Sequence, residues 1–262
     1  MKAGDIMKIL KCISNIEEFN KEEFQGLSIG VEIQDFAKSN LTEDNVSKLV
    51  ERYKPLLKDF NNIKALHGPF LDLKPCSPDS DIRNISRRKY LKALNVAREL
   101  EMDYIIFHSQ INPYLTDPNV KKLFNQLNKE FWIEVLEEIK DFKGTIVIEN
   151  IFEEAPYMLN ELIKTIDLPN VKINLDLGHA RLGKSSLEEW IRELKDYIYY
   201  IHVHSNNGLY DEHVRPANEE IKHIYTMLNT YNLNPVISLE YDVKDLPEEI
   251  KAHRLIRDNI TR

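Results

Sequence analysis

The sequence predicts an α/β protein folded as a single (β/α)8 barrel over residues 1–262, and three observations predict it. Short apolar runs alternate with helix-like stretches along the whole chain, eight of each. The length of 262 residues suits a fold that uses roughly 250. Run after run also ends on an acid or a histidine, as expected where strand C-termini share one functional rim.

In order, residues 7–13 alternate enough for a first strand, and 16–25 read as a short helix rich in Glu and Phe. Residues 27–33 form a second strand with Glu32 near its tip, and Thr42 is placed to cap a helix running to about residue 60. A third strand, 63–66, delivers His67, where Gly68-Pro69 stops it. A Pro-punctuated loop leads to a helix over 86–101, and the strand 102–107 ends in His108. Residues 119–142 carry Leu123, Leu127, Phe131, Val135, Leu136 and Ile139 at helical spacing, and the strand 144–148 delivers Glu149. Helix 155–166 tolerates Pro156 in its first turn, and strand 171–175 delivers Asp176. A helix over 187–197, a strand over 199–204 and a helix over 218–231 follow. Strand 236–239 delivers Glu240, and a last helix, 246–260, closes the barrel.

Composition narrows the functions open to such a barrel. A net charge of -8 weighs against a broad nucleic-acid surface. The loop 34–40 has only Lys38, and the dense basic run Arg87-Arg88-Lys89 falls on a helix, where a solvated face is expected. No apolar run approaches the roughly 20 residues needed to span a bilayer, so no membrane partner is expected. Residues 1–10 lack an export signal, and Cys12 and Cys76 fit free thiols in a reducing cytoplasm.

The strand ends place Glu32, His67, His108, Glu149, Asp176, His202 and Glu240 around one mouth. Imidazole and carboxylate together suit zinc, or manganese where oxygen ligands dominate. Asp176 and His179 are three residues apart, with Gly178 between them to let the backbone turn tightly; the same pair would also serve as a helix cap and a turn histidine. His204 shares a strand face with His202. Glu32 is read as a substrate contact or a rim salt bridge.

Seven segments carry a resemblance to the xylose isomerase-like TIM barrels, which include sugar-phosphate isomerases, epimerases and the endonuclease IV (AP endonuclease family 2) enzymes. They are His67-Gly68-Pro69-Phe70, Phe107-His108, Ile148-Glu149-Asn150, Leu175-Asp176-Leu177-Gly178-His179-Ala180, Ile201-His202-Val203-His204, Asp211-Glu212-His213 and Leu239-Glu240. The resemblance implies a metal core of Glu149, Asp176, His202 and Glu240. Members with three zinc ions add ligands that match His67, His108, His179, Asp211 and His213. One to three divalent ions (Zn, or Mn, Mg or Co) are therefore expected. His204 is implied as a contact to substrate or behind the ligands, and Phe70-Leu71 as loop packing or an apolar wedge at an abasic site. Residues 214–218 lack the Gly-rich turn usual in the family, and Arg215 stands there as a candidate phosphate or hydroxyl binder.

Two chemistries use these residues. The favoured expectation is isomerisation or epimerisation of a small sugar or sugar phosphate, with metal polarising the substrate and Glu149 and Glu240 passing a proton. The alternative is an endonuclease IV-like zinc phosphodiesterase acting on abasic DNA, disfavoured by the scarcity of Arg and Lys around the mouth. A metal-free binding barrel is a further alternative. Oligomeric state does not follow from the sequence.

Overall fold

In a computed structural model, which describes residues 7–261, eight parallel strands close into a barrel in the order β1 to β8. The strands are β1 Ile9–Ile13, β2 Gly30–Ile33, β3 Lys64–His67, β4 Tyr104–His108, β5 Thr145–Glu149, β6 Val171–Asp176, β7 Ile198–Val203 and β8 Val236–Leu239. The helices are α1 Lys21–Gly26, α2 Glu43–Leu57, α3 Ser80–Glu99, α4 Pro118–Glu138, α5 Pro156–Ile166, α6 Leu177–Leu182, α7 Leu187–Leu194, α8 Asn218–Thr230 and α9 Leu246–Thr261. The first six residues, on which the reading of an absent export signal partly rests, lie outside the described residues. No helix among the described residues is long and apolar enough to cross a membrane.

The barrel has two apolar compartments, because strand side chains alternate between faces. Outward residues such as Val31, Leu66, Ile105, Ile148 and Ile201 join the helices in one large core. Inward residues Leu10, Ala65, Ile106, Val147, Tyr200 and Val236 fill the interior as a separate plug. Two residues further along four of these strands, on the same inward face, stand His67, His108, Glu149 and His202. An apolar layer thus carries a polar layer directly above it.

The helix caps follow the sequence. Thr42 accepts from Asn45 N and starts α2. Asp117 caps α4 with Pro118 in its first turn, and Ser186 with Glu189 forms a capping box on α7. Two expectations change. Residues 16–25 are not one helix: a 3-10 turn at Ile16–Glu18 is followed by α1, because Asn20 is extended and caps a second start. Gly178 does not turn the chain but lies inside α6, which begins directly after β6 with Asp176 as its cap.

Candidate metal centre

The polar layer is assembled from the ends of six strands, the short helix α6 and the β7–α8 loop. Four triads hold donor atoms within 4.8 Å of one another: His67, His108 and Glu149; Glu149, Asp176 and His202; Asp176, His179 and His204; His204, Asp211 and His213. Each triad shares one residue with the next, so the donors form a continuous path. The path runs outward, from fully buried His202 and Asp176 to Asp211 and His213, whose side chains are 31% and 40% exposed. Glu240 joins it from β8, with Oε2 2.8 Å from His202 Nδ1 and Oε1 3.6 Å from His213 Nε2.

Neighbouring acceptors fix which imidazole nitrogen faces the cluster. His67 Nδ1 donates to the Gly68 carbonyl at 2.9 Å, which turns Nε2 toward Glu149. His179 Nδ1 donates to the Asn150 carbonyl at 2.9 Å and presents Nε2 to Asp211 at 3.1 Å. His202 Nε2 donates to Glu32 at 3.0 Å, leaving Nδ1 facing Glu149, Asp176 and Glu240. Such outer acceptors are the usual means of orienting metal-binding histidines.

The carboxylates are steadied in the same way. Asn174 Nδ2 donates to Glu149 at 2.9 Å, and Gln34 Nε2 to Glu240 at 2.7 Å. Asn150 grips the β6 end twice, donating to the Asp176 carbonyl and accepting from Asp176 N. Asp176 also accepts from His179 N at 2.7 Å, so its capping and cluster roles coexist in one side chain.

The donors fit a cation. His204 Nδ1 is buried with no hydrogen-bond partner, and His202 Nδ1 has only carboxylate oxygens in front of it, the nearest being Glu240 Oε2 at 2.8 Å. Orphaned lone pairs of this kind are costly unless something positive meets them. Burial raises the carboxylates Glu149, Glu240 and Asp176, yet the surrounding imidazoles bring all three below their ordinary range. Burial likewise opposes protonation of His179 and His202, but the facing carboxylates hold both well above the ordinary imidazole value. His108 is the exception: burial pushes it down to about 3, so it is a neutral ligand with a free lone pair.

Several expected residues fall elsewhere. Glu32 does not reach the mouth. It is fully buried one layer below, accepting from His202, from Tyr200 Oη at 2.7 Å and from Ser238 Oγ at 2.7 Å. That excludes both direct substrate contact and a rim salt bridge. Arg215 is not free for phosphate: its Nε meets both Glu249 oxygens at 2.9 and 2.7 Å, and its other nitrogens bond the Pro216 carbonyl and Asn218. His204, implied as a substrate or outer contact, lies among the donors, with Nε2 3.0 Å from Asp176 and its ring stacked 4.2 Å from His213. Phe70 does stand at the site, stacked 4.3 Å from the His108 ring, while Leu71 points outward at 56% exposure. Cys12 approaches Glu32 and His202, but burial pushes its thiol well up and Glu32 is already satisfied by three donors.

Comparison with known proteins places this geometry. The profile described as "Xylose isomerase-like TIM barrel" matches residues 19–260, and the chain belongs to that family. Its relatives include Uncharacterized protein MJ1311 of Methanocaldococcus jannaschii, 27% identical over 229 residues, which are 83% of this chain and 75% of the relative. The TTHB071 protein from Thermus thermophilus, solved after soaking with ZnCl2, shares the fold with a TM-score of 0.74 and 20% identity, covering 97% of this chain and 99% of its own. A D-tagatose 3-epimerase-like protein follows at 0.71 and 24%, with 97% of each chain covered. Further neighbours of the same fold include a D-psicose 3-epimerase and a family 2 AP endonuclease from Brucella melitensis.

Proposed function

We propose that the chain is a divalent-metal-dependent enzyme that holds up to three ions at the barrel mouth and hydrolyses a phosphoester in a small, sugar-like substrate. The observation that carries this is the environment of Glu149. Its Oε2 lies 3.6 Å from His67 Nε2 and 3.3 Å from His202 Nδ1. Its Oε1 lies 3.7 Å from His108 Nε2. A carboxylate with metal-competent imidazoles at both oxygens suits the bridging of two cations. Bridging leaves it no oxygen to take a proton from carbon, which weakens the isomerase expectation at one of its two proton carriers.

His67, His108 and Glu149 would hold one ion, Glu149, Asp176, His202 and Glu240 a second, and His179, His204, Asp211 and His213 the donors of a third. Bound cations would supply charge to activate water and to neutralise the attacking and leaving oxygens of the phosphoester. The chain's own contribution is orientation and proton handling. Gln34 fixes one Glu240 oxygen, and the other, 2.8 Å from His202 Nδ1, would take the proton of the attacking water. Phe70, packed on His108, closes one wall against bulk water.

A small substrate is favoured over a polymer because four of the cations in the loops around the mouth are held by acids. Lys38 pairs with Asp35, Arg181 with Glu220, Lys184 with Glu154 and Arg215 with Glu249. Phosphate tracking along DNA needs free cations.

Epimerisation is the second reading, favoured by two carboxylates from different strands, Glu149 and Glu240, that both approach His202 Nδ1, at 3.3 and 2.8 Å. One experiment separates the two. The zinc-loaded protein is incubated in D2O with a panel of sugar phosphates and followed by phosphorus and proton NMR. Release of phosphate without deuterium entering carbon supports hydrolysis; deuterium at carbon with phosphate retained supports epimerisation.

A further inference from the structure

A second polar network lies outside the metal path, between α9 and the loops that carry its outer donors. Glu249, in the first turn of α9, accepts from Arg215 Nε and from Tyr241 Oη at 2.7 Å. Tyr241 in turn accepts from His253 Nε2 at 2.8 Å, and His253 Nδ1 accepts from Tyr225 Oη on α8 at 2.5 Å. The chain of donors is consistent throughout, from Tyr225 through His253 and Tyr241 to Glu249. His253 is fully buried and Tyr241 nearly so. Burial raises Glu249, but hydrogen bonds from His253, Arg215 and Tyr241 hold it down to about 2, so it is a carboxylate throughout the working range.

The two residues that Glu249 grips are each close in sequence to an outer donor. Arg215 is two residues beyond His213, and Tyr241 directly follows Glu240. The loop between β7 and α8 is closed at its base by a two-way backbone bridge, Ser205 N to Val214 O at 2.8 Å and Val214 N to Ser205 O at 3.0 Å. His213 itself has φ +50, a left-handed conformation uncommon for a residue with a side chain. One carboxylate on α9 therefore ties down both sides of the 3.6 Å approach between His213 Nε2 and Glu240 Oε1.

We infer that the Arg215–Glu249 pair is a latch that positions His213 against Glu240, so that the outermost ion site forms only while α9 holds the β7–α8 loop. The inference rests on the multi-ion reading of the mouth. Arg215 and Glu249 touch neither ion nor substrate; they act through the loop backbone. The planar guanidinium, bonding Glu249, the Pro216 carbonyl and Asn218 at once, is what fixes the loop, and charge alone would not.

The test is zinc titration of the full chain in zinc-buffered solution, read as ions per chain and the affinity of each, for wild type, Arg215→Met, Arg215→Lys, Glu249→Gln and, as comparator, Asp211→Asn. The latch predicts that Arg215→Met and Glu249→Gln weaken the outermost ion most, by about 10–100-fold, while the ion of His67, His108 and Glu149 binds as in wild type. Arg215→Lys, which keeps the charge and packing and loses the planar fork, should weaken it as well. This variant decides the matter if Arg215→Met does not fold. A merely structural role would lower the melting temperature without this selective loss. Wild-type outer affinity in the latch variants, alongside loss in Asp211→Asn, would overturn the latch. No loss even in Asp211→Asn would instead overturn the outer ion site on which it depends.

Discussion

Glu32 and His202 meet with Oε2 3.0 Å from Nε2, both fully buried, and this contact sets the direction of the site. Held from below, the imidazole can only present Nδ1 upward, to Glu149, Asp176 and Glu240. Tyr200 and Ser238 donate to the same carboxylate and fix it, and although burial raises it, His202 holds it below its ordinary range. The expected outcome of Glu32→Gln is a metal affinity lower by about 10–100-fold with the barrel intact, measured by competition with a chelator of known affinity. Unchanged affinity would show that packing alone orients the ring.

Gly178 is required by a neighbour and not by its own backbone. A Cβ there would lie 2.0 Å from His204 Cε1. Gly178→Ala should displace the His204 ring, destabilise the fold by about 1–3 kcal/mol through overpacking, and reduce the outer metal site. Thermal unfolding with and without zinc reads both effects, and an alanine variant with wild-type zinc stabilisation would contradict the placement of His204.

Stability should respond to pH with opposite sign in the two metal states. His179 and His202 are raised well above 6.5 in the fold, so in the metal-free protein their protonation contributes stability in full below about pH 6.5. That contribution is lost as pH rises through the raised values. Zinc must displace these protons, so its stabilisation should grow over the same range. Melting temperatures between about pH 6 and about 9 should fall without metal and rise with it; parallel trends would contradict the assignment of protonated imidazoles to the site.

The strand ends were legible in the sequence because each strand must stop where the barrel opens, and the period of two put donors above an apolar plug without any need of coordinates. Depth within the barrel was not legible. Glu32 lies near its strand's end much as His67 does, yet it pairs with Cys12 and Ala65, a full layer lower, since stagger between strands decides height. The same period should have brought out Gln34, two residues past Glu32, which reaches Glu240. Arg215 was misread for another reason: its partner Glu249 is 34 residues away, and only the closure of α9 over the β7–α8 loop brings them together. His202 and His204 share one strand face, and the sequence alone could not say which neighbours each would find.

The central claim is that Glu149 would serve as a shared ligand in a centre of more than one metal. Elemental analysis of the purified, unchelated protein, with Glu149→Gln purified in parallel, tests it most directly. The account predicts about two to three zinc ions per chain, with loss of metal and of activity in the variant. A single ion per chain in the wild type, or full metal content in Glu149→Gln, would contradict it.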